Sequence, residues 1–93
     1  MAKKVGMAFM MEFVQEYLDG KSDRLGFDLD FNHYLIQLYP RMERQNAELA
    51  ESFSFYMGEM GFDRVNGLSD AKHKALIRKQ YAKFLAAMND DLL

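Results

Sequence analysis

The sequence predicts an all-α fold: a small antiparallel bundle of three helices, or four if the middle one divides. Three observations carry that expectation. Apolar residues recur at steps of three or four, with Phe31, Leu35, Leu38, Met42, Leu49, Phe53, Tyr56 and Met60 all on one helical face. One proline and six glycines are too few for a turn-rich β-sandwich. A hydrophobic share of 49% against 28% charged residues is too apolar for a disordered chain, so a packed core is expected. In 93 residues that core makes one domain spanning residues 1–93.

The first helix is expected over residues 3–19. Phe9, Met10, Phe13 and Tyr17 form one stripe, and Met7, Met11, Val14 and Leu18 a second beside it. Together they cover roughly half the circumference, more than the ~100° needed by a helix resting on one neighbour. Such a helix either wedges between two others or presents a contact to another chain. Gly20 suits the residue just past its end, where a left-handed conformation is common. Lys21 to Asp30 reads as a polar connector, with Asp28 or Asp30 capping the next helix.

The central helix is expected over about residues 30–60. Pro40 lies inside it, and a proline removes one hydrogen bond and crowds the preceding turn. The apolar phase passes through Pro40 without a slip. A continuous helix kinked there is therefore favoured over a new helix with Pro40 at its first position. Unbroken, the helix is about 45 Å long at 1.5 Å per residue. That exceeds the roughly 25–30 Å across a compact chain of this size, and calls for a bend or a covering second subunit. Asn46 fills the gap between Met42 and Leu49 as the one polar residue in the middle of the face. Buried, it needs a partner, and Asn46 of a symmetry-related copy is one candidate. Gly58 and Gly61 close the segment. Ser69 with Asp70 then caps a third helix over 69–89, whose Leu76, Ile77, Tyr81, Phe84, Leu85 and Met88 share a face. The tail from Asn89 to Leu93 is expected to fray.

Composition narrows the function. A net charge of −2 supplies no global pull toward nucleic acid or an anionic membrane. The absence of cysteine removes disulfide and thiol chemistry and fits a reducing cytoplasm. No apolar run approaches the ~20 residues of a membrane span. The N-terminus loosely imitates a signal peptide, but Glu12 interrupts it and no small-residue cleavage site follows. The serines, Ser22, Ser52, Ser54 and Ser69, sit in no Gly-x-Ser-x-Gly turn, and there is no glycine-rich phosphate loop.

One internal similarity recurs at an offset of forty: Asp23-Arg24-Leu25 with Asp63-Arg64-Val65, and Asp30-x-x-His33 with Asp70-x-x-His73. A duplication explains it, and so does chance. Paired Asp-x-x-His, with Glu12 and Glu48, offers the donor types of a di-metal bundle. Both pairs fall at expected helix starts, however, where capping already accounts for the aspartates. As calcium loops, the spans from Asp19 and Glu59 place an arginine where a glycine is required. No metal or cofactor is expected, and no enzyme.

The expectation is a cytoplasmic protein–protein interaction or accessory module, acting as a homodimer or on another protein. Four methionines in the first eleven residues make an adaptable surface, and Phe55 lies opposite the apolar stripe of its own helix. The expected interface is Met7, Met11, Asn46 and Phe55. The alternative is a nucleic-acid-binding regulator using the basic third helix, through Lys72, Lys79 and Lys83.

Overall fold

The structure is a computed structural model that describes residues 6–92, with side chains through Asn89. It is a helical bundle with no strand among the described residues. Helix α1 runs Met7–Leu18, α2 Arg24–Gln45, α3 Ala47–Phe53 and α4 Asp70–Leu92. A π-helical segment, Ser54–Glu59, continues α3, and a 3-10 turn, Phe62–Arg64, leads toward α4. The expected start of the first helix at residues 3–5 lies outside the described residues. At the other end α4 continues as helix to Leu92, through residues expected to fray.

Helix α1 is the wedge its wide apolar arc implied. Phe13 stacks on Phe27 of α2 at 5.6 Å, while Tyr81 of α4 donates to the Met11 carbonyl at 3.3 Å. At its end, Lys21 N–H bonds the Glu16 carbonyl and Gly20 N–H bonds that of Tyr17, with Gly20 at φ 82°. This pair of bonds closes the helix in the way a glycine at that place favours. At its start, Gln45 Oε1 accepts from Met7 N–H at 3.0 Å. Gly6 sits at φ 63°, a conformation that favours glycine, and a Cβ there would fall 2.5 Å from that same oxygen and push the Gln45 side chain off its bond to Met7.

The central segment departs from expectation at both its start and its middle. Helix α2 begins at Arg24, because Asp23 rather than Asp28 or Asp30 accepts from Gly26 N–H at 2.8 Å and caps it. Pro40 lies within α2 and ends nothing. The break comes at Asn46, which adopts extended angles (φ −166°, ψ 104°) and accepts from Leu49 N–H at 3.1 Å as the N-cap of α3. The gap between Met42 and Leu49 was the boundary itself. Two shorter helices fit within the 35 Å longest extent of the molecule, so no overhang calls for a second subunit. The following π-helical turn is closed by Met60 N–H to the Phe55 carbonyl at 2.9 Å.

The stripe from Phe31 to Met60 is core. Phe31, Leu35, Met42 and Phe53 are buried, and Leu38, Leu49, Tyr56 and Met60 half-buried. Aromatic contacts run through the centre from Tyr17 to Phe27 (4.5 Å), Phe27 to Phe31 (5.2 Å), Phe31 to Phe53 (6.4 Å) and Phe53 to Phe84 (5.1 Å). These rings join α1, α2, α3 and α4, and fully burying each is worth several kcal/mol, of order 3–5 against alanine.

Candidate functional site

Three features stand out beyond the core: a buried polar brace, a lysine stripe on α4 and an uncovered apolar face on α2. The brace starts from His73, which is wholly buried. Ser69 caps α4, with its Oγ accepting from Lys72 N–H at 3.3 Å, and this sets the first turn so that His73 points inward. Tyr17 Oη donates to His73 Nδ1 at 2.7 Å, and His73 Nε2 donates to Asp28 Oδ1 at 2.8 Å. A carboxylate only accepts, so Nε2 carries a proton, and in the neutral imidazole Nδ1 is then the acceptor for the phenol.

Arg24 extends the brace. Its guanidinium pairs with Asp28 Oδ2 at 3.5 Å and with Asp70 Oδ1 at 3.0 Å, and donates to the Leu68 and Val65 carbonyls. Lys74 Nζ lies 5.0 Å from the Tyr17 ring centre, and Arg78 donates to the Leu18 carbonyl at 3.2 Å, at the C-terminus of α1. An open cleft of about 670 Å³ adjoins these groups, lined by Tyr17, Ser22, Arg24, Lys74 and Arg78 among others. Arg24 and Arg78 are committed to the chain's own carbonyls and carboxylates. Burial, and secondarily the charge of Asp28, pushes the Tyr17 phenol above its ordinary range, so it stays protonated and acts as a donor. The arrangement ties α1, α2 and α4 together.

The two Asp-x-x-His pairs do not converge. His33 is exposed and lies beside Tyr34, at 5.7 Å between rings, whereas His73 bonds Asp28, which belongs to neither pair. Among the described residues no three histidine or carboxylate side chains gather as metal ligands. Of the two spans considered as calcium loops, the one from Asp19 is largely helix, since α2 already starts at Arg24, and the one from Glu59 holds the 3-10 turn Phe62–Arg64. The offset-forty similarity likewise maps onto unlike settings: Asp23 caps a long helix and Asp63 sits in a 3-10 turn.

The expected interface residues go separate ways. Met7 is half-buried against the core, with its amide held by Gln45. Met11 is half-buried beside Tyr81. Asn46 is exposed and engaged as a cap, so the buried, unpartnered asparagine that pointed to a symmetry axis does not exist within the chain. Phe55 is 43% exposed, edge-on to Tyr56 at 5.1 Å. By contrast Lys72, Lys79 and Lys83 stay together. All three are exposed, within an arc of about 40° opposite the buried face of α4. Residues 71–89 carry five basic and no acidic side chains, so with a net charge of −2 the remainder carries −7.

What sequence reasoning missed is the outer face of α2. Leu25, Leu29 and Ile36 are 67%, 68% and 68% exposed, and among the described residues they account for three of the four large hydrophobic side chains most open to solvent. They lie within about 40° of one another on the helix. Placing residues 21–30 in a connector hid two of them. The sequence held one cue: Asp23 is a capping residue type too, and a helix started there would have drawn Leu25 and Leu29 into phase with Ile36.

The chain matches no protein-family model, and neither the curated proteins nor the solved structures contain a match to it. No helix among the described residues is long and apolar enough to cross a membrane.

Proposed function

We propose that this chain is a small protein–protein interaction module without catalytic activity, which docks an amphipathic helix of a protein partner on the outer face of α2. The single observation behind it is the aligned exposure of Leu25, Leu29 and Ile36. Scattered exposed leucines are ordinary, but three large side chains in register on one helix, with Asn32 and His33 between the second and third, form an apolar stripe of the kind that marks a docking surface. Their spacing of four and seven residues is that of anchors for a facing helix. A cysteine-free chain suits the cytoplasm, and we place it there.

The test uses helical peptides selected for binding from an amphipathic library. They are expected to lose binding at least tenfold to a Leu29→Glu, Ile36→Glu variant that keeps its helical circular dichroism. Selected peptides that bind parent and variant alike would contradict a docking face on α2.

A second reading, nucleic-acid binding, is favoured by the lysine stripe alone. Its mark is retention on duplex DNA that falls with salt, with a slope reduced by about three when Lys72, Lys79 and Lys83 become glutamine. Absence of retention at low salt removes it.

A further inference from the structure

We infer that the lysine face of α4 docks an acidic helix of a protein partner, at a site separate from the outer face of α2.

The face is uniform in charge. Lys72, Lys79 and Lys83 form one exposed row, and Ala71, Ala75, Ala82 and Ala86 form a second exposed row beside it. At 100° per residue the two rows together cover about 120° of the helix. No acidic residue occurs from Ala71 to Asn89, in a chain that holds 14 of them. At the near end Asp70 pairs with Arg24 of α2, and at the far end Asp90, seven residues past Lys83, bounds the lysine row. Lys72, Lys79 and Lys83 make no ion pair among the described residues. A solvated helix face gains stability from opposite charges four residues apart. Here Lys79 and Lys83 stand four apart and repel, and their other neighbours at three and four residues are alanine, leucine and glutamine. The helix gives up a little stability to keep the row purely basic.

Shape and charge select the occupant. The alanines let the axis of a facing helix approach to about 8 Å, while the lysine stems lie along its flank and carry their ammonium groups to its carboxylates. From Lys72 to Lys83 is about 17 Å, three helical turns, so the row matches acids spaced at seven and four residues on the partner. A nucleic-acid duplex fits less well. A groove grips a helix through phosphates on both sides, and the cations on the other flank of α4 are turned inward. Arg78 donates to the Leu18 carbonyl at 3.2 Å, and Lys74 lies 5.0 Å from the Tyr17 ring centre. The two exposed rows consist of lysine and alanine, without the serine, threonine, glutamine or arginine that supply most other contacts to a duplex. The charge of −7 outside residues 71–89 repels a long polyanion, whereas a short acidic helix within a Debye length of about 8–10 Å senses the lysines first. Ion pairs this exposed contribute orientation and speed of association more than affinity. An isolated helix therefore binds with a dissociation constant on the order of 1 mM.

Methyl NMR of the full chain tests this, with an alanine-rich helical peptide bearing glutamates at those spacings as the probe. At low salt the methyl signals of Ala71, Ala75, Ala82 and Ala86 are expected to shift and approach saturation, while those of Leu25, Leu29 and Ile36 stay fixed. Binding is expected to weaken about fivefold or more at physiological salt. It is expected to weaken about tenfold or more in a Lys72→Gln, Lys79→Gln, Lys83→Gln variant whose helical circular dichroism is unchanged. Alanine methyls that stay fixed at about 5 mM peptide, well above that constant, overturn the inference, as do shifts that the triple variant retains. Duplex DNA that shifts these methyls where the peptide does not also overturns it, and assigns the face to nucleic acid. Peptide shifts confined to the α2 methyls overturn it as well, and leave the docking role of α2 standing.

Discussion

Replacing Tyr17 with phenylalanine removes one oxygen atom and tests the brace that joins α1 to α4. The ring keeps its stacking on Phe27 at 4.5 Å, so packing is conserved and the hydrogen bond is isolated. His73 Nδ1, on a side chain with no exposure, is left without a donor. An unpaired buried acceptor costs about 1–3 kcal/mol. For a domain of this size each kcal/mol lowers Tm by about 4–8 °C, so a loss near 2 kcal/mol means a fall of roughly 8–16 °C. Urea unfolding followed by circular dichroism measures it, with an unchanged m-value showing that only stability moved. In a His73→Leu background no acceptor remains, and Tyr17→Phe is expected to cost less than about 0.5 kcal/mol, a coupling of at least 1 kcal/mol. Equal costs in the two backgrounds would refute the brace.

The same variant has a signature in alkali. Burial raises the folded-state pKa of Tyr17 above its ordinary value, so the protonated phenol is favoured on folding. That contribution is complete below the ordinary tyrosine range and is lost as pH rises through the raised value. Parent stability is thus expected to decline above about pH 10. Tyr17→Phe declines less steeply and keeps the share due to Tyr81, whose phenol burial also raises.

Two further substitutions probe single features. Asn46→Ala removes the cap on α3 and is expected to cost about 1 kcal/mol in urea unfolding while leaving the oligomeric state of the parent unchanged, since Asn46 acts on Leu49 N–H within its own chain. Gln80 is 4% exposed with its Oε1 unpartnered, so Gln80→Met is expected to raise stability by about 1 kcal/mol, and a loss of that size would show the amide to be needed.

The helical class and the inward face from Phe31 to Met60 were legible because burial leaves a periodic trace in sequence. The end of α1 at Gly20 and the cap at Ser69 were legible for a local reason: both are set by the residues that form them. The break at Asn46 was not, because periodicity reports angle and not continuity. The step of seven from Met42 to Leu49 returns to the same phase whether the helix runs on or restarts. The start of α2 offered three aspartates of equal capping preference, and only the fold separates Asp23, which caps, from Asp28, which turns to His73. Tyr17, Asp28 and His73 are 11 and 45 residues apart in sequence, a spacing that no local pattern encodes. The outer stripe of α2 vanished for a simpler reason. Once its first turn was taken for a connector, Leu25 and Leu29 had no phase to share with Ile36.

The docking role of α2 is tested most directly by methyl-labelled NMR spectra of the chain, recorded with an added helical peptide selected for binding and with added duplex DNA. The expected result is that the methyl signals of Leu25, Leu29 and Ile36 shift as the peptide is added, while those of Leu76, Ile77 and Leu85 on α4 stay fixed and DNA changes nothing. Stationary α2 methyls, with DNA-induced shifts along the α4 face that carries Lys72, Lys79 and Lys83, would contradict it.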